Sequence, residues 1–216
     1  MKNYGKLATG IIVVWFLFSL SASALHLFQT NANRFGAGVA VAALTPLVVF
    51  SLWFAASKGF RQFSLSLNPR ALTSVQAGRI FGFTFLLLES RSILPAVFAF
   101  PAGYGDMAIG ATAAFVAWKL ADPGHRNTFI LWQLLGIMDL TLAVGLGTTA
   151  FLLDPHGVPM LAMTVLPLSL IPTFLVPLYF ILHIICIAQA SSWKRDVLAR
   201  KVAGSLQVVI RQANTN

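Results

Sequence analysis

Apolar residues fill the chain in uninterrupted runs of about 20, separated by short clusters of basic, glycine, proline and asparagine residues. A helix of about 20 apolar residues spans a ~30 Å hydrocarbon core. Lipid admits only helices or closed barrels, because every backbone polar group must be satisfied internally. The runs are continuous rather than alternating, so helices are expected over strands. Six spans are predicted: Leu7–Leu27, Gly36–Ala56, Ile80–Phe100, Tyr104–Leu120, Phe129–Leu153 and Met160–Ala188. The expected fold is an all-α, polytopic membrane helix bundle, with residues 1–188 forming the transmembrane domain. Residues 189–216 then form a polar cytoplasmic tail. Within that tail Val197, Leu198, Val202, Leu206, Val209 and Ile210 recur at helical spacing among basic residues, as in an amphipathic helix lying on a membrane surface.

Composition agrees with the pattern. Hydrophobic residues make up 57% and charged residues 10% of the 216, with a mean hydropathy of +0.80; soluble domains carry roughly 25% charged residues. The first span could imitate a secretory signal, but it is read as a retained first helix. Thirteen of the 15 basic residues fall in segments that alternate spans place on one side: Lys2, Lys6, Lys58, Arg61, Arg70, Arg79, Lys119, Arg126, Lys194, Arg195, Arg200, Lys201 and Arg211. The positive-inside rule therefore predicts cytoplasmic N- and C-termini. The net charge of +9 is accounted for by this topology and by anionic headgroups, so the bilayer is the expected partner and nucleic acid is not. The single Cys186 permits no intramolecular disulfide and reads as a packing residue.

The connection Ser57–Arg79 is the longest predicted one. Within it Asn68-Pro69 reads as a helix cap followed by a first-turn proline, opening a short interfacial helix that leads into the third span. The next connection, "FAFPAGYGDMAIG", contains the Gly-Tyr-Gly-Asp of potassium-selective filters. Such filters line an axis with carbonyls of Thr-Val-Gly-Tyr-Gly. Here Pro101 and Ala102 stand where Thr and Val would be, and proline fixes its own backbone. A tight turn through Pro101, Gly103 and Gly105, with Asp106 capping the fourth span, is the simpler expectation.

"FAFPAGYGDMAIG", "LWQLLGIMDLTLAVGLG" and "IPTFLVPLYFILHI" together resemble a family of uncharacterised bacterial six-span inner-membrane proteins, over roughly residues 80–188. The resemblance implies the topology and a multi-pass location in the inner membrane. It implies no mechanism.

Charges inside spans cost about 2.5–3.5 kcal/mol on insertion scales, so each asks for a reason. Glu89, Arg91 and Asp139 are predicted to lie within spans. Glu89 and Asp139 both fall about 15 Å from the cytoplasmic end at 1.5 Å per residue. Glu89 and Arg91 are two positions apart and diverge around the helix. Arg91 is therefore expected to pair with Asp139, near a break created where Pro95 frees the Arg91 carbonyl. Trp132, Gly136, Asp139 and Ala143 share a stripe of the fifth span that faces the interior. In the sixth span Pro167, Pro172 and Pro177 free the carbonyls of Met163, Leu168 and Thr173, and Tyr179 and His183 lie a turn apart.

His26 shares a face with Trp15, Ser19 and Ser23 near the outer end of the first span. Together with His156, Asp154 and Asp106 it is a weak metal candidate without a recognisable ligand spacing, so no metal is predicted. His26 and His183 lie near opposite surfaces, which rules them out as a pair of haem ligands. No phosphate loop, nucleophile motif or cofactor signature is present. Three functions remain open. The leading one is binding or movement of a small solute or ion at Glu89, Arg91, Asp139, Trp132, Tyr179 and His183, with Glu89 as carrier and Arg91 as anion clamp. The others are an accessory subunit of a larger membrane complex or homo-oligomer, and a membrane enzyme acting on a lipid or quinone-like substrate.

Overall fold

The computed structural model describes residues 2–29 and 37–193. Among these residues the chain is helical, without a strand. The helices are α1 (Lys2–Ala24), α2 (Ala37–Ala56), α3 (Lys58–Ser66), α4 (Pro69–Glu89), α5 (Ala96–Lys119), α6 (Arg126–Leu153) and α7 (Ile171–Trp193). Five of them, α1, α2, α4, α6 and α7, are long and apolar enough to cross a membrane. Large apolar side chains face outward along these helices, among them Val14 and Phe18 on α1, Val41 and Leu52 on α2, and Leu131 and Met138 on α6. An outward girdle of this size suits lipid rather than water.

Helix α5 is long too, at 24 residues, but its middle carries proline, glycine, tyrosine and aspartate. It packs along α4 on one side and α6 on the other. One part of the core joins Ile109, Ala113, Phe129, Trp132 and Cys186 from α5, α6 and α7. A second part joins Phe85, Leu94, Phe98, Ala99 and Met163, and smaller clusters form around Phe28 and Phe60.

Asn68 caps α4 as its sequence suggests: the side-chain oxygen accepts from the Arg70 N–H at 2.9 Å, and Pro69 follows at the first helical position. The helix that this cap opens is the long one itself. The short element in this connection is α3, capped by Ser57, with the ring of Phe60 stacked 3.8 Å from that of Trp53 and 6.3 Å from that of Tyr4. Gln189 of α7 donates to the carbonyls at the end of α3, at 2.8 Å for Leu67. These contacts bind α1, α2, α3 and α7 together at one end of the bundle.

The third predicted span is thus displaced by about three turns, from Ile80–Phe100 to Pro69–Glu89. The turn lies at Ser90–Pro95, and Pro95 precedes the first residue of α5 instead of breaking a helix. Pro101, Gly103, Gly105 and Asp106 are all helical. The turn and cap expected there do not form, and carbonyls engaged in a helix cannot line a filter. The sixth predicted span is shorter than expected at its start. Met160–Thr164 is a separate 3₁₀ turn, and α7 begins at Ile171 with a wide π turn through Leu175. At its other end α7 runs on to Trp193. The predicted tail helix lies outside the described residues.

Of the carbonyls freed by proline, that of Thr173 has a clear use. It accepts from Trp15 Nε1 at 3.0 Å and from Ser19 Oγ at 3.3 Å, while Ser169 Oγ donates to Ser23 Oγ at 2.8 Å. The polar stripe of α1 therefore docks on the irregular start of α7. Trp15→Phe should lower stability by about 1–2 kcal/mol, read as an earlier midpoint in thermal unfolding of the detergent-solubilised protein.

Candidate functional site

Arg79, Asp106, Asp139 and His183 come from four different helices. Each lies within two residues of its helix's midpoint. They meet at the centre of the bundle. Arg79, 3% exposed, donates through Nε to Asp106 Oδ1 at 2.6 Å and through Nη2 to Asp139 Oδ2. Its Nη1 donates to the Gly136 carbonyl at 3.3 Å and lies 3.3 Å from His183 Nε2. The Tyr179 ring sits beneath the guanidinium, 5.9 Å from its carbon. All three guanidinium nitrogens are engaged, which is the arrangement that makes a buried guanidinium tolerable.

The imidazole's form follows from its partners. Arg79 can only donate, so His183 Nε2 accepts and the ring proton resides on Nδ1. That N–H donates to Gln133 Oε1. Gln133 Nε2 donates in turn to Thr73 Oγ1 at 3.3 Å, and Thr73 lies 3.8 Å from Cys186 Sγ. A neutral His183 thus stands between the ion cluster and a polar chain leading toward the basic end of the bundle.

Local backbone thinness permits this convergence. The middle of α4, Gln76–Gly82, is a 3₁₀ stretch, which is narrower than an α-helix. Gly105 leaves room for the Asp139 carboxylate, whose Cγ would lie 2.6 Å from a β-carbon there. Gly110 lets the α5 backbone lie directly on Arg79 and Ile80.

Two cavities adjoin the cluster. The larger, about 330 Å³, is walled by Val39, Ala43, Phe98, Ala143, Met163 and Ile171, with Asp154 at its far end. The smaller, about 90 Å³, contains Arg79 and Tyr179 in its wall. Asp106 lines both. Its side chain is 17% exposed. Its Oδ2 receives no hydrogen bond from the described residues.

Several expected site residues take these places and others do not. Asp139, Tyr179 and His183 converge, but His183, expected near the inner surface, lies at the midpoint of α7. Trp132 packs 5.8 Å from the His183 ring and donates to Thr112 Oγ1 at 2.9 Å. The arginine paired with Asp139 is Arg79, however, and Arg91 is exposed in the Ser90–Pro95 turn. Glu89 closes α4, half-buried, far from the midpoint where a carrier was expected. The acidic group at the centre is Asp106 instead. His26 and His156 are exposed, and no group of three metal-binding side chains forms among the described residues.

A family model described as Domain of unknown function (DUF8737) matches residues 34–190, well over half of the chain. No curated protein and no solved structure matches it.

Proposed function

We propose that this chain, which belongs to the DUF8737 family, binds or moves a small solute or ion at the Arg79–Asp106–Asp139 cluster within a membrane. One observation carries this reading: Asp106 is both a member of the buried ion network and a wall of the cavity that reaches it. A purely structural bridge has no need of an adjoining void. Pockets of 300 Å³ and above, apolar with a few convergent polar groups, are the usual form of a small-molecule site.

The reading includes six spans in the cytoplasmic membrane of a bacterium. Taking α5 as the sixth span leaves basic residues concentrated at one end. Among the described residues Lys58, Arg61, Arg70, Lys119 and Arg126 lie on that side, against Arg91 on the other, which supports cytoplasmic termini. The cavity then occupies the outer half, and the His183–Gln133–Thr73 chain the inner half.

The test is a comparison of wild type and Asp106→Asn in proteoliposomes against a panel of alkali cations, alkylammonium ions, neutral solutes and carboxylates. At least one solute should move in the wild type and stop moving in the variant. The bonding of all three Arg79 guanidinium nitrogens favours a second reading, an accessory subunit in which the cluster only fixes packing. Absence of any Asp106-dependent movement across the panel would leave that second reading in place.

A further inference from the structure

We infer that the larger cavity takes an amphipathic monovalent organic cation, its charged end on Asp106 and its apolar body along the wall toward Asp154. This rests on the solute-binding reading above and specifies its substrate class.

Charge is the first argument. The cluster holds two carboxylates against one guanidinium, and His183 is neutral by its hydrogen bonds. Arg79 spends its donors on Asp106, Asp139, Gly136 and His183, so little of its field is offered to an anion entering the cavity. Among the described residues neither Lys nor Arg lines the larger cavity, whereas Asp106 and Asp154 both do. A single-sign cleft with low-dielectric walls focuses its field on counter-ions. Asp106 Oδ2, which receives no hydrogen bond from the described residues, is open to one.

The wall supplies the second argument. Phe85 and Phe98, with ring centroids 5.3 Å apart, line the cavity together with Asp106. A carboxylate and two phenyl rings in one cavity wall suit a substituted ammonium, which aromatic rings attract. A small metal ion demands several oxygen ligands or retained waters. The described wall offers few: Asp106, Asp154, Thr148 and Thr164 are its polar side chains, and no group of three metal-binding side chains forms among the described residues. The remaining wall is hydrocarbon, which rewards burial of an apolar body.

The experiment uses the full chain in lipid nanodiscs and three probes of similar shape: 2-phenylethylammonium, 2-phenylethanol and 3-phenylpropanoate. Binding is read by calorimetry and by the shift in unfolding midpoint. The ammonium should bind about tenfold or more tightly than the alcohol, and the carboxylate more weakly than either. Asp106→Asn should reduce the ammonium to the level of the alcohol. Gly147→Leu supplies a variant remote from the ion cluster. A β-carbon there meets Met160 and Phe98 at ordinary contact distances of 3.5 and 3.6 Å, and the rest of the side chain would fill the cavity. It should abolish binding of both ammonium and alcohol. Equal binding of carboxylate and ammonium, indifference to Asp106→Asn or Gly147→Leu, or no binding by any probe would overturn the inference. A neutral or anionic solute moved in an Asp106-dependent way would overturn it while leaving the solute-binding reading intact.

Discussion

Arg79→Met is expected to destabilise the bundle by about 3–5 kcal/mol, the usual cost of removing one partner from a buried ion pair. Methionine fills much of the arginine stem's space, so packing loss is a minor part of the effect. What remains is Asp106 and Asp139 at the bundle centre with no cation between them, in a setting where a lone carboxylate is far costlier than in water. The charge-free triple variant Arg79→Met, Asp106→Asn, Asp139→Asn should recover most of the loss, because apolar or neutral replacements of a whole buried network are often close to neutral. Unfolding midpoints in detergent for wild type, single and triple variants decide the matter. A single variant as stable as wild type would mean that the network contributes nothing to the fold.

Gly110→Ala should be the most damaging single-carbon addition in the chain. Its β-carbon would stand 2.8 Å from the Arg79 carbonyl carbon and from Ile80 Cα, and closer still to the Ile80 nitrogen. These are backbone atoms, so no rotamer change relieves the clash. α4 and α5 must move apart, and that withdraws Arg79 from Asp106. Overpacking of this kind typically costs 1–3 kcal/mol and sometimes more; here it also strains the ion network, so the yield of monodisperse protein on size exclusion should fall sharply. Gly145→Ala is the matched control. Nothing lies within 4 Å of its β-carbon, and alanine's better helix propensity makes it neutral or stabilising by up to about 1 kcal/mol. Equal behaviour of the two variants would contradict the backbone contact.

Much of this arrangement was legible in the sequence. Hydropathy located apolar helices, the Asn68-Pro69 cap was visible, and helical spacing placed Asp139, Trp132, Tyr179 and His183 on inward faces. Arg79 was missed because a lone arginine beside a polar connection ordinarily belongs to that connection. Its neutralisers lie 27 and 60 positions away, a tertiary fact with no local trace. One signal was available. If Pro69 opens a span, Arg79 falls at its midpoint, level with Asp106 and Asp139 in theirs. Pro101 to Gly105 misled for a related reason. Those residues favour turns in water, but in a membrane protein proline and glycine are common inside helices, where small residues let backbones touch. Gly103 and Gly110 serve that contact here, Gly105 makes room for the Asp139 carboxylate, and the chain turns where Ser90–Pro95 breaks the apolar run.

The aromatic stack of Tyr4, Trp53 and Phe60, with Gln189 fastened to the end of α3, has a mechanical corollary. It works as a drawstring that gathers α1, α2, α3 and α7 at one rim. Helix ends held in this way must shift as one piece.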